Sequence, residues 1–99
     1  MEFSSVLLEP AREYLKSIPP SERALVLSAV TALQSGEFES VHTKQLKGPV
    51  RELIIGPHRL TYFMHKDGFY FVRGFRKKSQ KAPKREIEYA EKWYKYITS

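Results

Sequence analysis

The spacing of apolar residues changes twice along this 99-residue chain. From Pro10 the segment PAREYLKSI puts Ala11, Tyr14, Leu15 and Ile18 at helical intervals, and Pro10 suits a first helical turn. Pro19-Pro20 stops that helix. Ser21 is placed to cap a second one, SERALVLSAVTALQSG, which Gly36 ends. The expected inner face of this second helix is Leu25, Ala29, Ala32 and Leu33. Two helices broken by Pro-Pro-Ser form a helical hairpin.

The middle of the chain is richer in β-branched and aromatic residues. Three short runs, 51–56, 59–65 and 69–75, are separated by Gly-Pro-His and by Lys-Asp-Gly. The Asp-Gly pair accommodates the positive φ angles of a tight hairpin turn. Alternation within the runs is poor, so helices are expected to cover at least one sheet face. Val41–Gly48 reads as a loop leading into the sheet, and EFSSVLL as no more than a weakly marked short strand. Pro83 opens a last helix with Ile87, Ala90, Tyr94 and Ile97 on one face and Trp93 beside it. The expected architecture is a single α+β domain over residues 1–99. In it an N-terminal helical hairpin packs on a small antiparallel sheet of three to four strands, with a C-terminal helix.

Charge changes this picture more than composition does. Residues 1–72 carry eight basic and eight acidic side chains, whereas residues 73–99 carry nine basic and three acidic, which supplies the whole net charge of +6. Seven of the fourteen residues in RGFRKKSQKAPKRE, residues 73–86, are Lys or Arg. A neutral body with one basic end is the electrostatic footprint of a polyanion binder. Cysteine is absent, which excludes thiol catalysis and disulfides and suits a reducing, cytoplasmic setting. No secretory leader is expected, and no apolar run approaches the ~18 residues of a membrane span.

A sheet of adjacent strands is expected to gather Lys47, Arg51, Arg59 and Arg73 near the basic loop residues Arg76, Lys77 and Lys78, with Lys81, Lys84 and Arg85 beyond. Cleaving RNA through its 2′-hydroxyl requires that oxygen to be activated, the phosphorane charge stabilised and the leaving oxygen protonated. Arginine and lysine supply the second need directly, and a lysine crowded by cations can also move protons. His42, His58 and His65 are the conventional acid–base residues. Their spacing does not fit a metal site, and His58 reads as an ordinary turn histidine. Tyr62, Phe63, Phe69, Tyr70 and Phe71 read mainly as core, with one or two left to stack on bases.

The run from Lys44 to Lys92 resembles the phage-derived, HigB-like branch of the RelE/ParE toxin superfamily. The resemblance rests on Leu46-Lys47-Gly48, on Arg51-Glu52-Leu53 and on Arg59 followed by aromatics. It rests above all on Gly74-Phe75-Arg76-Lys77-Lys78 through Lys81 and Pro83, leading into Glu86-Ile87-Glu88-Tyr89-Ala90. It implies a RelE-like, microbial-ribonuclease-type fold and the toxin of a type II toxin–antitoxin pair, an mRNA interferase acting on the translating ribosome without cofactor or metal. Arg59 would stabilise the transition state. Lys77 and Lys78 would bind phosphate or transfer protons, Arg51 would join them at the catalytic site, and Lys47, Arg73, Arg76, Lys81, Lys84 and Arg85 would hold RNA. The implied partners are mRNA, the ribosome and a small helix-turn-helix antitoxin, with no membrane. A ParE-like gyrase inhibitor and a non-catalytic RNA-binding module are the competing readings. Ile87 stands where some RelE toxins carry a catalytic tyrosine, so no tyrosine role carries over.

Overall fold

The computed structural model describes residues 2–99. Its elements run β1 (Ser4–Leu7), α1 (Glu9–Ser17), α2 (Pro20–Gln34), β2 (His42–Lys47), β3 (Val50–Ile55), β4 (His58–His65), β5 (Gly68–Arg76) and α3 (Lys84–Thr98). A single 3-10 turn, Phe38–Ser40, links α2 to β2.

The α+β class, the hairpin of helices and the three central strands agree with expectation, but the sheet is larger. It has five strands in the order β1-β5-β4-β3-β2. The chain begins on a strand rather than on the helical hairpin, and β1 pairs in parallel with β5, Ser4 opposite Gly68 through Leu7 opposite Phe71. The segment expected to be a loop is β2, antiparallel to β3. Its sequence HTKQLK is mostly exposed and has no apolar alternation, so pairing with β3 makes it a strand, not its own pattern.

The two helix-bearing faces of the sheet hold separate cores. One joins α1 and α2 to β3, β4 and β5 through Ala11, Leu15, Val26, Val30, Leu33, Leu53, Leu60, Tyr62, Phe69 and Phe71. The other places Ala90 of α3 against Val50, Phe63 and Val72. In α2 the buried row is Val26, Val30 and Leu33, and Leu25 is 62% exposed. This helix is apolar on several sides, so two rows satisfied the same spacing and only packing distinguishes them. Ser21 lies inside α2, whose N-cap is Pro19 without a side-chain bond.

Two backbone details aim the site residues. Between β4 and β5 the pairing jumps from Thr61–Arg73 to Tyr62–Phe71, leaving Val72 as an extra residue. This bulge puts the consecutive residues Val72 and Arg73 both on the α3 side, while Phe71 faces the opposite core. The β3–β4 turn is Gly56-Pro57, with Gly56 at φ 55°, the left-handed region that glycine enters without a Cβ penalty. In the β4–β5 turn the positive φ falls on Lys66 (56°) rather than on Asp-Gly.

Candidate functional site

Side chains that alternate along β2, β3, β4 and β5 put one polar row across the α3 side of the sheet. Lys44 is opposite Glu52, Glu52 opposite Thr61, and Thr61 opposite Arg73. The neighbouring row runs Ile54, Arg59, Phe75. Where β5 ends, residues 77–83 turn across these rows and close a pocket. It is lined by Lys44, Glu52, Arg59, Lys77, Lys78 and Lys81, among others. Its volume of ≈ 80 Å³ is well below the ~300–1,000 Å³ of sites that enclose whole small molecules. It is dimensioned for a group, such as one phosphate, on a larger chain.

Arg59 forms the floor of this pocket and is only 7% exposed. Its Nη1 donates to the carbonyl oxygens of Gly56 (2.7 Å) and His58 (3.0 Å), and its Nε lies 3.9 Å from Glu52 Oε1. The guanidinium is thus fixed by backbone rather than left to swing. Glu52 Oε2 is buried and has no hydrogen-bond partner among the described residues. An orphaned carboxylate oxygen costs about 1–3 kcal/mol, and here it is available to any donor that enters. Lys77, Lys78 and Lys81 are exposed, and the Lys77 backbone N–H donates to Pro57 O at 2.8 Å, which ties the loop to the β3–β4 turn.

The structure brings Arg59, Lys77, Lys78 and Lys81 together and distributes the other expected cations elsewhere. Arg51 is on the opposite face, donating to the Tyr62 hydroxyl (3.2 Å) and Thr43 Oγ1 (3.0 Å). Arg73 donates to the buried Glu86 at 2.8 Å, and its guanidinium carbon sits 3.8 Å from the Tyr89 ring centroid, so it fastens α3 to β5. Arg76 turns toward Glu22 of α2 (3.8 Å), and Lys47 pairs with Glu91 of α3 (3.5 Å). Lys84 and Arg85 stand exposed on the first turn of α3, outside the pocket lining. Cations there oppose the helix dipole by roughly 0.3–1 kcal/mol each, so helix stability does not account for them.

Lys44 and Glu52 join the pocket without having stood out in the sequence. Only the cross-strand pairing of β2 with β3 reveals them, and β2 had no strand signal. His58 is no turn residue. It opens β4, is 3% exposed and is bonded on both ring nitrogens. Tyr62, Phe63, Phe69 and Phe71 are buried, so the stacking platform is core. Among the described residues, no group of three or more His, Asp and Glu side chains is placed to hold a metal ion, and no helix is long and apolar enough to cross a membrane.

Comparison with solved structures places this fold. A chain of the archaeal RelE–RelB complex from Pyrococcus horikoshii OT3 superposes with a TM-score of 0.68 at 14% identity, covering 77% of this chain and 96% of that one. A chain of the RelBE2 toxin–antitoxin complex from Mycobacterium tuberculosis gives 0.65 at 21% identity, covering 78% and 100%. A chain of the RelB–RelE antitoxin–toxin complex from Methanococcus jannaschii gives 0.63 at 16%, covering 85% and 94%. At these identities the likeness establishes a shared RelE-type fold. None of the curated proteins matches the chain. The family model described as "Phage derived protein Gp49-like (DUF891)" matches residues 13–95, from the first helix through most of the last. That span includes every residue lining the cationic pocket, and the chain belongs to the phage-derived Gp49-like family.

Proposed function

We propose that this protein is the toxin of a type II toxin–antitoxin pair of the HigB-like branch and that it cuts mRNA on the translating ribosome. The observation that carries this reading is the convergence of Lys44, Arg59, Lys77, Lys78 and Lys81 on one phosphate-sized pocket. The 2′-hydroxyl gives its proton to a water as its oxygen attacks phosphorus, the bond to the 5′-oxygen breaks, and the products are a 2′,3′-cyclic phosphate and a 5′-hydroxyl. Arg59, held rigidly by two carbonyls, is oriented before substrate arrives, which is how a cation stabilises a phosphorane most effectively. A loop lysine protonates the leaving oxygen. Side-chain cations do the electrostatic work, so the chemistry calls for no metal. The partner is a small antitoxin, as in the complexes that share the fold, and the site of action is the cytoplasm.

The test is induction in growing bacteria of the wild type beside Arg59→Ala and Lys77→Ala, with mRNA 5′ ends mapped. Growth arrest with new ends, lost in both variants, is the expected result. Arrest without new ends would move the reading to gyrase inhibition or plain ribosome blocking.

A further inference from the structure

On the sheet face opposite the pocket, a chain of polar side chains has no part in the phosphate chemistry above. The Tyr14 hydroxyl of α1 lies 2.6 Å from His58 Nδ1, and His58 Nε2 lies 2.6 Å from Glu22 Oε1 of α2. Arg76 Nη2 approaches the same Glu22 oxygen at 3.8 Å. Burial raises the Tyr14 pKa, keeping its hydroxyl protonated and therefore able to donate to Nδ1. With Nδ1 accepting from Tyr14, the His58 ring donates from Nε2 to Glu22. The Tyr14 ring is seated on Gly74, where a Cβ would come within 2.2 Å of the ring.

The placement of this chain relative to the pocket is regular. His58 and Arg76 are partners across β4 and β5, and each is followed directly by a pocket cation, Arg59 and Lys77. Successive strand residues His58 and Arg59 point to opposite faces, and where β5 ends Arg76 turns to Glu22 while Lys77 lines the pocket. The His58 carbonyl accepts from the Arg59 guanidinium, as does that of Gly56, and the intervening Pro57 carbonyl accepts from the Lys77 N–H. The three carbonyls that hold the site therefore belong to residues 56–58, and the only side chain among them with hydrogen-bonding groups is clamped by α1 and α2.

We propose that Tyr14, His58 and Glu22 are positioning residues for RNA cleavage. From the helical hairpin they lock the start of β4 and the Gly56-Pro57 turn before it and, through the Gly56 and His58 carbonyls, set the Arg59 guanidinium to receive the scissile phosphate. The proposal rests on the pocket being the phosphoryl site. Misplacing a catalytic group by about 1 Å costs up to ~100-fold in rate. Loss of the clamp is therefore read in turnover before it is read in binding.

Tyr14→Phe removes one hydroxyl while leaving the ring on Gly74, which makes it a cleaner variant than His58→Ala. Single-turnover cleavage of an mRNA held on programmed ribosomes, the Kd for the same complex carrying a 2′-deoxy analogue, and the NMR signal of the Arg59 Nε–H in the free protein are measured in wild type, Tyr14→Phe, Arg59→Ala and the double variant. In Tyr14→Phe the cleavage rate is expected to fall about 10- to 100-fold. The analogue's Kd should stay within about twofold, the Arg59 signal should move, and no further rate loss should occur in the Arg59→Ala background. An unchanged Arg59 signal, or a rate loss that persists in full without Arg59, overturns the proposal. If the wild type cleaves no RNA, the nuclease reading fails by itself. The Arg59 signal, with and without inorganic phosphate, then still decides whether Tyr14 positions Arg59.

Discussion

Replacing Arg73 by alanine separates a structural cation from an RNA-binding one. Arg73 is a third exposed, and its Nε donates at 2.8 Å to Glu86, which is 6% exposed. Its loss strands a buried carboxylate whose next cation, Arg85, is 3.9 Å away on a side chain 84% exposed. Breaking a fully buried pair costs about 3–5 kcal/mol, and a surface pair contributes about 0–1 kcal/mol. The partial exposure of Arg73 places this pair between them, at about 2 kcal/mol. Losing the guanidinium from above Tyr89 adds about 0.5–1 kcal/mol. The sum, about 2–3 kcal/mol, lowers the melting temperature of a domain this size by roughly 10–20 °C. Circular dichroism melts and urea titrations measure it. A Glu86→Gln background should reduce the cost of Arg73→Ala to below about 1 kcal/mol, because no buried charge is then stranded. Arg73→Ala with an unchanged melt and sharply weaker RNA binding would refute this account and return Arg73 to the RNA surface.

Gly74→Ala drives a methyl into the Tyr14 ring. In urea titrations it should lose roughly 1–3 kcal/mol to overpacking and about 1 kcal/mol more with the Tyr14–His58 bond. Burial holds the Tyr14 hydroxyl above its ordinary pKa, Glu22 pushes the same way, and Arg76 opposes both. The unfolded chain therefore ionises first, near pH ~10. The stability tied to this hydroxyl is whole below that pH and is lost as pH climbs toward the folded value, so Tyr14→Phe should flatten that part of the alkaline decline. Lys77→Ala and Lys78→Ala should each reduce the slope of log Kd against log salt for single-stranded RNA by ~0.7. Arg51→Ala should leave that slope unchanged, because its guanidinium faces the other side of the sheet.

The parts of the fold legible in the sequence are those whose signal is local. β3, β4 and β5 are marked by apolar runs between turn residues, and α1 and α3 by helical spacing bounded by prolines. What was not legible depends on distant partners. β1 is four residues long and forms only against β5, and β2 is polar and forms only against β3. The site shows the same division. Lys77, Lys78 and Lys81 announce themselves as a run, and Arg59 through the resemblance. The orientations of Arg51, Arg73 and Arg76 follow strand parity and a bulge at Val72, neither of which composition reveals. His58 looked ordinary because its partners, Tyr14 and Glu22, lie 44 and 36 residues away.

The exposed strand β2 has a consequence beyond the pocket it helps to line. It is one edge of the sheet, with an open row of backbone donors and acceptors, the kind of border along which copies of a protein zip into aggregates. Lys44 and Lys47 stand on that border, and an irregularity between Gln45 and Lys47 breaks its register. Like charges and a kink both discourage a second strand from docking. Neutralising the two lysines would unguard this edge. A chain changed that way should be more prone to fibrillar self-association.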